Sequence, residues 1–106
     1  MNQPDKPLKH VGIFEADSYR IAKEKFGDSV LIADVESQFG STLSNHPLFG
    51  KPVPFAKELY VFKTQAFNPR VPSFRVLYRY SIEKDPFNVE LLSIQLADDT
   101  PYENSI

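Results

Sequence analysis

Arg75 and Arg79 stand four residues apart in a run of two-residue alternation, Ser73 to Glu83. On a β-strand that spacing puts both guanidinium groups on one sheet face, about 13 Å apart at 3.3 Å per residue. Lys57 and Lys63 accompany the preceding apolar run, Glu58 to Lys63, and Arg70 stands in the loop joining the two runs. Neighbouring strands lie about 4.8 Å apart, so these cations can share one surface. Depending on register, Tyr60, Phe62 or Tyr80 would add aromatic faces. Such a surface suits a phosphodiester backbone with bases to stack. The alternative is that Arg75 and Arg79 pair across strands with Glu58 or Glu90 and keep an uncovered sheet face soluble.

Other chemistries find little support. His10 and His46 have no partners at metal-ligand spacing, and Asp98-Asp99 read as solvated carboxylates rather than a divalent-cation site. The four glycines form neither a phosphate-binding loop nor a nucleophile elbow, so no nucleotide cofactor is expected. The absence of cysteine excludes disulfides, thiol nucleophiles and thiolate metal sites, and fits a reducing compartment. Any chemistry is therefore expected to be metal-free and driven by cations.

The net charge of −2 conceals an uneven distribution. Residues 1–50 carry −2, residues 51–80 carry +5, and residues 81–106 carry −5. A basic middle can meet a polyanionic partner, or the two charged segments can neutralise each other within the fold. With 106 residues, nine of them Phe and five Tyr, the chain is expected to fold as one domain around one core. No apolar run approaches eighteen residues and no secretory signal is visible, so neither a membrane association nor export is expected.

The elements that must position the cations follow from periodicity. Residues 1–8 read as a disordered tail, 9–102 as the domain and 103–106 as a second tail. Lys9 to Glu15 predicts a short strand. Asp17 or Ser18 can cap a helix carrying Tyr19, Ala22 and Phe26 on one stripe. Gly27-Asp28 separates it from a second helix, Ser29 to about Ser44, with Leu31, Val35, Phe39 and Thr42/Leu43 on one face. A stiff crossover with three prolines, His46 to Pro54, leads into the strand Glu58–Lys63. In the next strand Phe74, Val76, Tyr78, Tyr80 and Ile82 share one face. Lys84-Asp85-Pro86 predicts a turn, and Phe87–Leu96 the closing strand. The sum is a two-layer α+β domain, an N-terminal strand and helical hairpin packed on an antiparallel sheet. Val89 to Leu96 is apolar on both faces, which calls for an interior position or for cover by a partner.

The crossover Leu48-Phe49-Gly50-Lys51-Pro52, the strand Lys57-Glu58-Leu59-Tyr60-Val61-Phe62, the strand Phe74-Arg75-Val76-Leu77-Tyr78-Arg79-Tyr80 and the closing Val89-Glu90-Leu91-Leu92-Ser93-Ile94 resemble the RelE/ParE superfamily. These are toxins of bacterial type II toxin–antitoxin operons, and the resemblance spans about residues 9–102. It implies a cytoplasmic toxin with a cognate antitoxin. RelE-like members cut mRNA on the ribosome without a metal. In that mode Arg75 matches the third-strand arginine that contacts the phosphate, while Lys57, Lys63, Arg70 and Arg79 would hold RNA. Tyr102 would be the C-terminal proton-transfer residue. ParE-like members instead block DNA gyrase by protein contact, and a non-toxic interaction module is the third reading. The +5 middle segment favours cutting; the acidic end and the isoelectric point of 5.6 favour binding.

Overall fold

Alternation divides the strand that begins at Phe74 into an apolar side and a cationic side, and the computed structural model assembles the domain about that division. It describes residues 11–27, 29–65 and 72–97. The elements are β1 (Gly12–Glu15), α1 (Asp17–Glu24), α2 (Ser29–Asn45), β2 (Lys51–Pro52), β3 (Leu59–Lys63), β4 (Phe74–Ser81) and β5 (Asp85–Leu96). They form one five-stranded sheet in the order β1-β5-β4-β3-β2. Strand β1 runs parallel to β5, and the other neighbours are antiparallel. Both helices pack on the sheet, which gives the expected α+β architecture.

Phe62, Val76 and Ile94 lie opposite one another across β3, β4 and β5 and are all buried. By the pleat, the flanking rows Lys63–Arg75–Gln95 and Val61–Leu77–Ser93 face away from the helices. The helices contribute Tyr19, Ile32, Val35, Phe39 and Leu43 to the core. Each fully buried side chain of this kind contributes about 1.5–3 kcal/mol of transfer free energy before entropy is charged against it. Phe26, just past α1, meets the Phe74 ring edge-on at 5.3 Å.

The apolar residues on both parities of β5 are one face read across a bulge. Leu77 pairs with Ser93, but the next residue, Tyr78, pairs with Leu91. Skipping Leu92 resets the alternation, so Val89 and Leu91 join Ile94 in the core. The N-terminus of α1 packs at the same place. The Ala16 N–H donates to the Leu91 carbonyl (2.9 Å) and the Ser18 hydroxyl to the Leu92 carbonyl (2.6 Å). Ser18 is thus committed to β5 and does not cap α1, whose N-cap position is Ala16 with no side-chain cap.

Three further differences from expectation have local causes. The stretch His46 to Pro54 contains the two-residue strand β2, paired with β3. The turn after β4 comes earlier than Lys84–Pro86, because the Ser81 hydroxyl accepts the Lys84 N–H (3.0 Å) and closes it. Ile82 therefore sits exposed in the turn rather than on the core face, and Asp85 and Pro86 open β5.

A partly buried ionic cluster joins the first three elements. The Tyr19 hydroxyl donates to Glu36 Oε2 (2.8 Å), and Lys23 Nζ bridges Glu36 Oε2 (3.0 Å) and Glu15 Oε2 (2.9 Å). Burial, then the bond to and charge of Glu36, push the Tyr19 hydroxyl far above its ordinary value. Burial opposes the Lys23 charge, but the bonds and charges of Glu15 and Glu36 outweigh it and raise Lys23. The folded state then holds both protons more tightly than the unfolded chain. Their stabilisation is complete below about pH 10 and is lost as pH rises through the folded values. Urea midpoints are expected to hold steady to about pH 9 and fall above about pH 10. Tyr19→Phe should cost roughly 1 kcal/mol at neutral pH and fall less steeply on the alkaline side.

Candidate nucleic-acid interface

Arg75 is the residue around which the cationic side is organised. Buried on β4 with 5% exposure, it lies between Lys63 on β3 and Gln95 on β5. A cleft of about 300 Å³ opens at this point. Its lining comprises Phe49, Gly50 and Lys51 from the crossover and β2, Val61, Phe62 and Lys63 from β3, and Arg75. Among the described residues that line it there are three cations and no carboxylate. Cations grouped in a concave surface raise the local concentration of anions.

The crossover reaches the cleft because Tyr78 holds it there. The Tyr78 ring is fully buried and stacks on Tyr60 with centroids 5.4 Å apart. Its hydroxyl accepts the Gly50 N–H (2.9 Å) and donates to the Pro47 carbonyl (2.8 Å). Burial pushes this hydroxyl up to about 12; the Gly50 N–H opposes the shift and Tyr60 adds to it. The group therefore stays protonated and keeps both bonds at physiological pH. Gly50 is required by contact: a Cβ there would lie 2.7 Å from the Val61 carbonyl oxygen and 2.8 Å from the Tyr78 hydroxyl.

At the other end of the same strand the cations are balanced. Arg79 Nη1 pairs with Glu90 Oε1 (3.3 Å), and Lys84 Nζ lies 4.0 Å from Glu58 Oε2. The second cleft is lined by Lys57, Arg79 and Lys84 together with Glu58, Asp85 and Glu90. At this end of β4 the neutralising reading of the charge distribution holds. Because the Arg79–Glu90 pair is half-exposed, Arg79→Ala should change stability by less than about 1 kcal/mol. It should also weaken binding of a single-stranded RNA less than Lys63→Ala does, as read by fluorescence anisotropy over a salt series.

The expected residues are divided accordingly. Lys63 and Arg75 come together, whereas Arg79 belongs to the balanced cleft. Lys57 is not on a strand: it lies in the Val53–Glu58 turn, where Phe55 and Glu58 adopt left-handed backbone angles (φ 64 and 71), and it too lines the balanced cleft. Arg70 and Tyr102 lie outside the described residues, as do His10, Asp98, Asp99 and Glu103. Phe62 and Tyr80 are core residues, so the exposed aromatic of the cationic cleft is Phe49. Phe49 and Lys51 were missed as site residues because a proline-rich crossover gives no alternation to orient them; Gly50 between them was the available signal. Among the described residues no group of three or more His, Cys, Asp or Glu side chains could hold a metal ion, and no helix is long and apolar enough to cross a membrane.

No family model and no curated protein sequence matches the chain. A solved structure that does match is a chain from the crystal structure of the toxin–antitoxin complex RelBE2 of Mycobacterium tuberculosis. The two share 24% sequence identity with a TM-score of 0.62, over 87% of this chain and 97% of that one. The likeness is one of fold.

Proposed function

We propose that this chain is the toxin of a toxin–antitoxin pair and acts in the cytoplasm as a ribosome-associated mRNA endoribonuclease. The observation that carries this reading is the convergence of Lys51, Lys63 and Arg75 in one cleft beside Phe49. The RelE-like fold supports it, as does a match to a chain from a toxin–antitoxin complex.

Arg75, Lys63 and Lys51 would bind the scissile phosphate and its neighbours. The RNA 2′-oxygen attacks the adjacent phosphorus and gives up its proton. The new P–O2′ bond forms as the P–O5′ bond breaks, leaving a 2′,3′-cyclic phosphate and a 5′-oxygen that takes up a proton. Negative charge grows on the non-bridging oxygens during this step. Cations already fixed around that position stabilise it without reorganising. Tyr102 is the proposed proton-transfer group. Its ordinary pKa near 10 requires lowering for that role, and Tyr102→Phe tests it through the pH–rate profile.

Induced expression should arrest growth, and co-expression of the antitoxin from the adjacent reading frame should relieve the arrest. Ribosomes programmed with a defined mRNA should yield cleaved message on addition of the protein. Absence of arrest without the antitoxin rejects the toxin reading. The balanced cleft around Arg79 and Glu90 favours a second reading, inhibition of DNA gyrase by protein contact, since equal charges of both signs do not attract a polyanion. Inhibition of supercoiling, with no cleavage of ribosome-bound mRNA, would establish that alternative.

A further inference from the structure

Phe49 is 63% exposed, yet both sides of its backbone are tied down. The Tyr78 hydroxyl bonds to the Pro47 carbonyl and to the Gly50 N–H, and the Phe49 N–H itself donates to the His46 carbonyl (2.9 Å). One side of its ring rests on Phe62, with centroids 5.4 Å apart and planes tilted by 38°. The chain thus presents an aromatic side chain to water from a tethered backbone, on the wall of a cleft that carries Lys51, Lys63 and Arg75. Phe14, another exposed phenylalanine beside cations, stands among an equal number of carboxylates.

We propose that Phe49 is a base-stacking platform: one nucleobase of a single-stranded RNA lies on its exposed surface while the adjoining phosphates occupy Lys51, Lys63 and Arg75. This inference rests on the RNA-binding reading of the cleft and adds the residue that holds a base. The geometry favours a nucleotide over an apolar peptide because a ring and three cations share one small cleft, matching the two parts of a nucleotide. A ring backed by Phe62 on a tethered backbone has less conformational entropy to lose when a base stacks on it. Stacking uses the face of the base and not its hydrogen-bonding edge. Recognition at this position therefore tolerates every base and favours purines, whose surface is larger.

The test measures binding of short 2′-O-methyl RNA oligomers, which cannot be cut, by fluorescence anisotropy over a salt series. Phe49→Ala should weaken binding roughly tenfold, within the ~1–3 kcal/mol of one stacked base, and leave the salt slope unchanged. Phe49→Tyr and Phe49→Trp should retain affinity. Phe49→Leu, which keeps an apolar contact on Phe62, should lose it. An oligomer with one abasic position at the stacking point should bind the wild type as weakly as the intact oligomer binds Phe49→Ala, and the two losses should not add. Equal affinity of wild type and Phe49→Ala for intact oligomers overturns the proposal, as does an unchanged tenfold loss on every abasic oligomer. Phe49→Ala that binds RNA normally but fails to bind the antitoxin also overturns it, in favour of a protein contact. Failure of the wild type to bind RNA in a salt-dependent way overturns the RNA-binding reading, and this inference with it.

Discussion

Arg75→Ala is expected to lower cleavage of ribosome-bound mRNA by about 10²–10³-fold and to abolish growth arrest. A guanidinium stays charged at any physiological pH and presents its donors in a planar fork that fits phosphate oxygens. Arg75 is buried between Lys63 and Gln95, so its side chain is held before substrate arrives. Such preorganised charge is worth most where water is excluded. Arg75→Lys should recover part of the activity, because it restores the charge without the fork. The binding effect is separable: Arg75→Ala should lower the salt slope of RNA binding by about one phosphate contact. Since the residue is buried, thermal melts must accompany both variants. An Arg75→Ala protein that folds and still arrests growth would falsify the site assignment.

Gly50→Ala is expected to be the most destabilising glycine-to-alanine change among the described residues. The added carbon would come within 3 Å of the Val61 carbonyl oxygen and of two Tyr78 atoms. The carbonyl belongs to β3, which pairs on both edges, so the crossover is the part that must move. Overpacking of this kind costs roughly 1–3 kcal/mol, and each Tyr78 tether broken by the shift about 1 kcal/mol more. In a domain of this size each 1 kcal/mol lowers the melting temperature by about 4–8 °C. The displacement also withdraws Phe49 and Lys51 from the cleft, so RNA binding should fall even in protein that remains folded. Tyr78→Phe should reproduce the loss of binding with a smaller loss of stability, because it removes the tethers without a clash. Gly40→Ala is the control. Nothing lies within 4 Å of a Cβ there, in the middle of α2, and alanine should stabilise the helix by about 0.5–1 kcal/mol.

Much of the fold was legible because it follows from local periodicity. The helical stripes of Tyr19 and of Val35, Phe39 and Leu43 lie in the core, as does the apolar side of β4 through Tyr80. What misled was local too. Apolar residues on both parities of Val89–Leu96 mark an interior strand interrupted by a bulge at Leu92, and no spacing rule separates that from two buried faces. Ser18 reads as a cap, but a hydroxyl goes to the acceptor nearest in space, here the Leu92 carbonyl 74 residues away.

The sequence by itself determined that the domain is α+β, that Arg75 and Arg79 share a sheet face, and that a basic middle segment precedes an acidic end. Each of these depends on the spacing or order of residues along the chain. Only the tertiary structure decided that the two arginines differ in kind. The pairing of β4 with β5 sets Glu90 opposite Arg79 and Gln95 opposite Arg75. The antiparallel return of β2 along β3 then carries Lys51 toward Arg75 and leaves Lys57 in the turn, at the balanced cleft. Charges interact through distance in space, and cross-strand register sets that distance. The −2 of the whole chain is therefore the sum of segments of −2, +5 and −5, and the cleft that gathers Lys51, Lys63 and Arg75 is where the proposed chemistry resides.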